Sequence, residues 1–197
     1  LNPKINENPY LDNQLKQLEM QFNATRQRLG NKFGTQKFIV YFQSFTNTYA
    51  PFSTLKALYE KALSFENVIG LSIGTRTDCV TDEILDYLVE LSKTKEIWIE
   101  YGIQSFFDET LVRINRGDNS ANMKYWIKRS KEKGLNVCGH LIYGLPGENQ
   151  EMMLETFKQT LQLNIDSIKF HPLYVVKNTL LTNEFKKGKF TPISEEL

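Results

Sequence analysis

The sequence predicts an α/β fold, a partial (β/α) TIM-like barrel of about five parallel strands with outer helices. Three observations favour it. Strand and helix patterns alternate along the chain, strand starts are separated by roughly 30 to 40 residues, and each strand has one apolar face and one small or polar face. Consecutive βα units of this size build a parallel sheet with helical crossovers.

The elements follow one another without a linker or a low-complexity segment. A first helix is predicted over 11–29 from the spacing of Leu11, Leu15 and Leu18, closed by Gly30. Strands are predicted at 37–43, 68–74, 97–104, 135–144 and 167–173. Helices are predicted near 53–65, 82–93, 107–115, 120–133, 149–163 and 179–187. We therefore divide the chain into an N-terminal extended segment and helix (1–36) and a barrel core (37–197).

The two faces of the strands decide between an open sheet and a barrel. In a doubly wound sheet both faces of each strand are covered by helices and should be apolar. Here the polar positions recur on one face, such as Glu100, Gly102 and Gln104 of one strand or His140 of the next. An interior cavity of a barrel satisfies such a face, and barrel enzymes place their sites late in the strands.

Composition limits the function classes. The chain has 197 residues, is 41% hydrophobic and carries a formal net charge of +1, which gives no indication of nucleic-acid binding. No apolar run approaches the ~20 residues of a membrane span. The two cysteines, Cys79 and Cys138, fit a cytoplasmic protein without disulfides, and we expect both to be small buried groups. Because the chain begins at Leu1 and stops after a candidate helix N-cap, Ser194, we expect it to be part of a longer protein.

Several polar residues could bind a ligand. Glu100 and Gln104 lie roughly 13 Å apart on one strand face and suit two ends of a polar ligand. Arg116 could hold a carboxylate with two hydrogen bonds. Arg76 with Asp78 is interpreted as a loop ion pair.

The two histidines do not predict a metal site. His140 and His171 end adjacent strands on the inner face, but as a pair they lack a third ligand. No catalytic residue is identified from the sequence.

Several separated motifs together resemble a known family. "EYGIQSFFDETLVRINRGD", "CGHLIYGLPGE" and "IKFHPL" resemble radical S-adenosylmethionine (SAM) enzymes, in the branch of the oxygen-independent coproporphyrinogen oxidase and the Elongator catalytic subunit. "YFQSFTNTYAPFSTLK" and "GLSIGTRTDC" resemble an uncharacterised bacterial subfamily of Fe–S oxidoreductases. The resemblance runs from about residue 37 to residue 190.

The resemblance implies a partial, six-stranded barrel of which this chain has five strands, with the first strand missing. It implies a cytoplasmic enzyme whose SAM chelates a [4Fe–4S] cluster and yields a 5′-deoxyadenosyl radical that abstracts hydrogen from a substrate. An electron donor such as flavodoxin or ferredoxin and a substrate of unknown identity are the implied partners.

The resemblance also implies roles for particular residues. Gln43, Ser44 and Thr46 fall where the family contacts the methionyl amino group, and Ser72 where some relatives have a polar SAM contact. Gln104 matches a SAM-contacting glutamine, and Arg116, twelve residues later, matches an arginine on the SAM carboxylate.

The resemblance implies that the remaining positions lie around the nucleoside. His140 stands where a relative has a ribose-binding aspartate, and Glu100 is expected as a second ribose or substrate contact. Ile142, Gly144 and Leu173 are expected beside the adenine.

The chain departs from the family at the cluster. The family holds its cluster with Cys-x3-Cys-x2-Cys, which this sequence lacks. We expect that the missing first strand carried these cysteines, so that this chain alone is inactive. The alternatives are a cluster-free SAM or nucleotide-binding regulatory module, and an ordinary barrel enzyme acting on a phosphorylated metabolite.

Overall fold

The computed structural model describes residues 9–193, in which strands and helices alternate as the sequence predicts. The strands are β1 (Phe38–Phe42), β2 (Val68–Thr75), β3 (Glu96–Gln104), β4 (Asn136–Tyr143) and β5 (Ser167–Pro172). The helices are α1 (Leu11–Phe33), α2 (Phe52–Leu63), α3 (Asp82–Ser92), α4 (Asp108–Arg113), α5 (Ser120–Glu132), α6 (Gln150–Gln162) and α7 (Leu180–Lys186). The N-cap candidate Ser194 and most of the extended segment at the N-terminus lie outside the described residues.

The strands form one sheet in the order β1-β2-β3-β4-β5, and the β1–β2 and β4–β5 pairs are parallel. In the last pair His140 lies opposite Lys169, and Ile142 opposite His171. Contacts divide the chain into two compact units. The first runs to Ile99 and includes Lys133–Leu135, and the second contains the remaining residues from Glu100 onward.

Helix α1 of the first unit ends later than its sequence suggests. The prediction that Gly30 closes the helix is wrong, because the helix continues to Phe33. Gly34 ends it in a left-handed conformation, φ 63°, and donates its N–H to the Gly30 carbonyl at 2.9 Å. Glycine adopts this conformation without the steric cost that a Cβ would bring, and it is therefore favoured at helix ends.

The core of the first unit lies between β2 and its helices. Leu71 and Ile73 of β2 are fully buried, as are Leu85 and Leu88 of α3. Ile69, which the alternation places on the same apolar face, is 41% exposed. The β1–β2 register skips this residue, since Phe38 pairs with Val68 and Ile39 with Gly70. A residue left out of the ladder in this way turns away from the face that its neighbours share.

The apolar face of β3 and β4 is buried as predicted. Ile103, Leu141 and Val137 have no exposed surface, and Tyr101 donates or accepts a buried hydrogen bond with Ser130 at 2.8 Å. Cys138 is buried as expected, whereas Cys79 is only half-buried. None of the helices within residues 9–193 has the length and apolar character that crossing a membrane requires.

Helix α3 begins at a side-chain cap that can be tested. The Thr81 hydroxyl accepts a hydrogen bond from the Ile84 N–H at 3.3 Å. Thr81→Ala should lower the free energy of unfolding by about 1 kcal/mol, because that N–H loses its partner, while Thr81→Ser should keep it. Urea denaturation of both variants checks this, and equal stability of the alanine variant and the parent would contradict it.

Candidate functional site

Gln104 and Arg116 meet at Gly102, near the carboxyl end of β3 in the second unit. Arg116 Nη2 donates to the Gly102 carbonyl at 2.6 Å. A Cβ on Gly102 would lie 2.7 Å from Gln104 Nε2 and 3.5 Å from Arg116 Nη2, so glycine makes room for both side chains. The Oε1 atom of Gln104 is buried and has no hydrogen-bond partner among residues 9–193. A buried acceptor of this kind costs free energy unless a ligand satisfies it.

A second polar group lies on the inward-facing positions of β3, β4 and β5. The carboxylate of Glu100, whose side chain is 8% exposed, accepts from His140 Nε2 at 2.7 Å and from Lys169 Nζ at 2.6 Å. Two charge-assisted contacts to one oxygen compensate the burial of the carboxylate. Sequence reasoning selected Glu100 and His140 separately and missed Lys169. The signal was present, since the alternation of "SIKFH" puts a lysine on an inward face.

The pairing with Glu100 sets the roles of the two His140 ring nitrogens. An ionised carboxylate only accepts hydrogen bonds, so Nε2 carries the hydrogen and the neutral ring leaves Nδ1 as an acceptor. Burial is the largest influence on His140 and lowers its pKa below the usual 6.5, which keeps the ring neutral near pH 7. His140 therefore offers an acceptor to a hydroxyl-bearing ligand.

His171 and Cys138 complete this group. The rings of His140 and His171 lie 5.4 Å apart, so the two histidines are neighbours as predicted. Atoms of Glu100, Cys138 and His140 lie within 4.8 Å of one another, a spacing that could hold a metal ion. The ammonium of Lys169 already contacts Glu100, and burial raises the pKa of the Cys138 thiol. A divalent cation here would be repelled by the ammonium of Lys169. It would also need Cys138 as a thiolate, which burial disfavours.

The turn after β4 brings three more predicted positions together. Leu173 donates its N–H to the Tyr143 carbonyl at 2.8 Å, next to Gly144. Gly144 has φ 85°, and a Cβ there would lie 2.9 Å from the side chain of Ile193. Ile142 and Leu173 are half-buried. This part of the second unit therefore offers a mainly apolar wall at the ends of β4 and β5.

The predicted residues of the first unit follow β1 and lie within β2. Asn47 ties the loop after β1 to β2, donating Nδ2 to the Phe42 and Gly74 carbonyls at 2.9 Å each. Gln43 is exposed, Thr46 is half-buried, and Ser72 is 8% exposed.

The loop after β2 contains the ion pair that the sequence indicates. Arg76 donates Nε to Asp78 at 2.8 Å and Nη2 to the same carboxylate at 2.5 Å. This pairing confirms the interpretation of Arg76 and Asp78 as partners.

The burial of His140 makes stability depend on pH. Because burial lowers its pKa in the folded protein, the unfolded chain binds more protons. The free energy of unfolding should therefore fall as the pH drops from 6.5 toward the folded pKa, and should be fully retained above this window. His140→Gln, which can still donate to Glu100, should flatten this dependence. Urea titrations from pH 8 to 5.5 measure it, and a parent profile unchanged by His140→Gln would contradict the assignment.

Two solved structures resemble the fold. Elp3 of Methanocaldococcus infernus matches with a TM-score of 0.74 and 23% identity, covering 91% of this chain and 47% of that one. Coproporphyrinogen III oxidase (HemN) of Escherichia coli matches with a TM-score of 0.56 and 20% identity, covering 77% and 35%. These likenesses confirm the predicted fold class, a partial (β/α) barrel.

Two curated relatives match most of this chain. Protein MJ0486 of Methanocaldococcus jannaschii is 44% identical over 165 residues, 83% of this chain and 51% of its own length. YtqA of Bacillus subtilis is 36% identical over 187 residues, 95% of this chain and 58% of its own. The chain thus spans about half the length of the curated relatives it matches.

The family follows from the sequence match. Residues 165–197 match the radical SAM C-terminal domain, and residues 13–160 match the Radical SAM superfamily. Since the second match covers well over half of the 197 residues, this chain belongs to the radical SAM superfamily.

Proposed function

We propose that this chain binds SAM and that the full-length protein is a radical SAM oxidoreductase. One observation carries the proposal, the buried Oε1 of Gln104 that has no partner within residues 9–193. SAM offers ammonium and ribose hydroxyl hydrogens that can satisfy this acceptor. When bound, SAM supplies the 5′-deoxyadenosyl group with which this superfamily abstracts hydrogen atoms.

Arg116 is proposed to hold the SAM carboxylate. Its Nη2 contact with the Gly102 carbonyl keeps the guanidinium beside the Gln104 amide. A planar guanidinium matches a carboxylate with two parallel hydrogen bonds. The two side chains would then contact neighbouring parts of one ligand.

His140 is proposed as a ribose contact. Its Nε2 is engaged by Glu100, which leaves Nδ1 to accept a hydrogen from a hydroxyl. Ile142, Gly144 and Leu173 form the apolar wall described above and are proposed to flank the adenine. Gln43, Thr46 and Ser72 are proposed for the methionyl amino end.

The cluster does not fit the residues of this chain. A [4Fe–4S] cluster that chelates SAM needs three thiolates, and the sequence has two cysteines, Cys79 and Cys138. Cys138 is buried against Glu100 and His140, and burial raises its pKa. We therefore propose that the cluster ligands, like the contact with an electron donor such as flavodoxin or ferredoxin, lie in other parts of the full-length protein.

Replacement of Gln104 tests the proposal. In the full-length protein, reconstituted anaerobically, Gln104→Ala should weaken SAM binding about tenfold, because one hydrogen bond to a charged or hydroxyl group is lost in a buried site. Gln162→Ala, at an exposed glutamine ending α6, is the matched control and should bind like the parent. Equilibrium dialysis with labelled SAM gives both dissociation constants. Unchanged binding by Gln104→Ala would overturn the assignment.

A further inference from the structure

The backbone at Gln104 is held in an uncommon conformation. Its φ is 68°, in the left-handed region that glutamine rarely adopts. The Ser105 N–H donates to the Ile103 carbonyl at 2.9 Å, which closes a three-residue turn around Gln104. A γ-turn with positive φ is rare and strained, and strain of this kind persists only where the surroundings impose it. Contacts with neighbouring residues must therefore hold the turn that orients the Gln104 amide.

Ser105 is the residue that anchors this turn. It has no exposed surface, and its Oγ accepts from the Phe107 N–H at 3.1 Å. The same hydroxyl donates to Oε1 of Glu148, which lies 43 residues further along the chain. Ser105 is thus fixed from both sides, by the start of α4 and by a carboxylate from the loop after β4.

The loop that carries Glu148 forms a turn of defined shape. Glu148 donates its N–H to the Leu145 carbonyl at 3.0 Å, closing the "LPGE" turn. Pro146 is buried, and Gly147 has φ 94°, which only glycine adopts readily. The carboxylate therefore reaches Ser105 from a turn whose shape is set by its own sequence.

We propose that Glu148 is a positioning residue for ligand binding: through Ser105 it holds the strained turn that presents the Gln104 amide to SAM. The inference rests on the proposed function, in which Gln104 contacts SAM. It assigns a role to the "GLPGE" motif beyond a turn, because the motif delivers a carboxylate to the end of β3. A carboxylate suits this role, since it only accepts and so directs the Ser105 hydrogen toward itself.

The first test compares three variants of the full-length, reconstituted protein by equilibrium dialysis with SAM. Glu148→Ala should weaken SAM binding about tenfold, the loss expected for a part-buried charge-assisted hydrogen bond. Glu148→Gln still offers an acceptor and should stay within about threefold of the parent. Glu151→Ala, an exposed carboxylate three residues away, should bind SAM like the parent. Equal weakening by the Gln and Ala variants at position 148 would overturn the proposal.

The second test is a double-mutant cycle, which distinguishes an effect of Glu148 through Gln104 from a general effect on the structure. If Glu148 acts through Gln104, adding Glu148→Ala to Gln104→Ala should cause no further loss of SAM affinity. Additive losses would overturn the inference while leaving the role of Gln104 intact. Unchanged SAM binding by Gln104→Ala alone would instead overturn the proposed function.

The third measurement needs no ligand, and the protection of β3 within it shows whether each variant is folded. Hydrogen–deuterium exchange of the SAM-free protein should become at least about tenfold faster at the Ser105 amide in Glu148→Ala. Ser105→Ala, which removes the same hydroxyl with little change in volume, should give the same acceleration. Residues 97–101 of β3 should keep their protection in both variants. Parent-like exchange of the residue 105 amide in both variants would contradict the proposed role of Glu148, whatever their SAM affinity.

Discussion

Gly70→Ala is expected to destabilise the first unit by about 3 kcal/mol, because β2 has no room for a side chain at this position. A Cβ on Gly70 would lie 2.0 Å from the Glu96 carbonyl oxygen and 2.7 Å from the Glu96 Cβ. The first of these atoms belongs to the backbone of β3, which cannot move aside without loss of strand pairing. Urea denaturation followed by circular dichroism measures the change.

Gly30→Ala is the matched control and should have the opposite sign. The nearest atom to a Cβ on Gly30 is the Thr35 carbonyl oxygen, 3.9 Å away. Because Gly30 lies inside α1, alanine should stabilise the protein by up to about 1 kcal/mol through its higher helix propensity. Two glycine-to-alanine changes with similar effects would contradict this account of β2 packing.

Lys169→Met should destabilise the second unit by about 2–3 kcal/mol at pH 8. The Glu100 carboxylate is nearly buried, and the substitution would remove the ammonium that contacts it. Loss of one partner from a buried ion pair leaves an uncompensated charge. The value lies below the roughly 3–5 kcal/mol usual for such pairs because the Lys169 side chain is 40% exposed to water. Lys158→Met, at an exposed lysine of α6, is the control and should change stability by less than about 0.5 kcal/mol.

Two further results identify the cause as charge rather than packing. Glu100→Gln in the Lys169→Met background should restore more than half of the lost stability, since no charge is then buried. The Lys169 ammonium lowers the pKa of His140, so its removal raises that pKa. The deficit of Lys169→Met should therefore shrink as the pH falls, because His140 gains its proton at a higher pH in the variant than in the parent. Additive losses in the double variant, or a deficit independent of pH, would contradict this explanation.

Much of the fold was predictable because its signals are local. Every strand and helix lies within a few residues of its predicted position, since period-2 and period-3.6 patterns depend on neighbouring residues. The errors have non-local causes. Gly30 resembles a helix end in the sequence, but Gly34 is the residue in the left-handed conformation. The exposure of Ile69 depends on how β1 pairs with β2, which no pattern within β2 encodes.

The sequence predicts which face of the strands carries the candidate site, but it does not predict the contacts between the side chains. Alternation placed Glu100, Gln104 and His140 inward, and the structure pairs Glu100 with His140 and places Arg116 beside Gln104. The contribution of Lys169 depends on strand register, which sets it opposite His140. The contact between Ser105 and Glu148 joins residues 43 positions apart in two loops, for which the sequence carries no periodic signal.

Formation of 5′-deoxyadenosine tests the central claim most directly. The full-length protein is reconstituted anaerobically with iron and sulfide, reduced with dithionite and incubated with SAM, and the products are measured by mass spectrometry. The account predicts the broad visible absorbance of an iron–sulfur cluster and release of 5′-deoxyadenosine that requires both reductant and SAM. Absence of both the cluster absorbance and 5′-deoxyadenosine would contradict it.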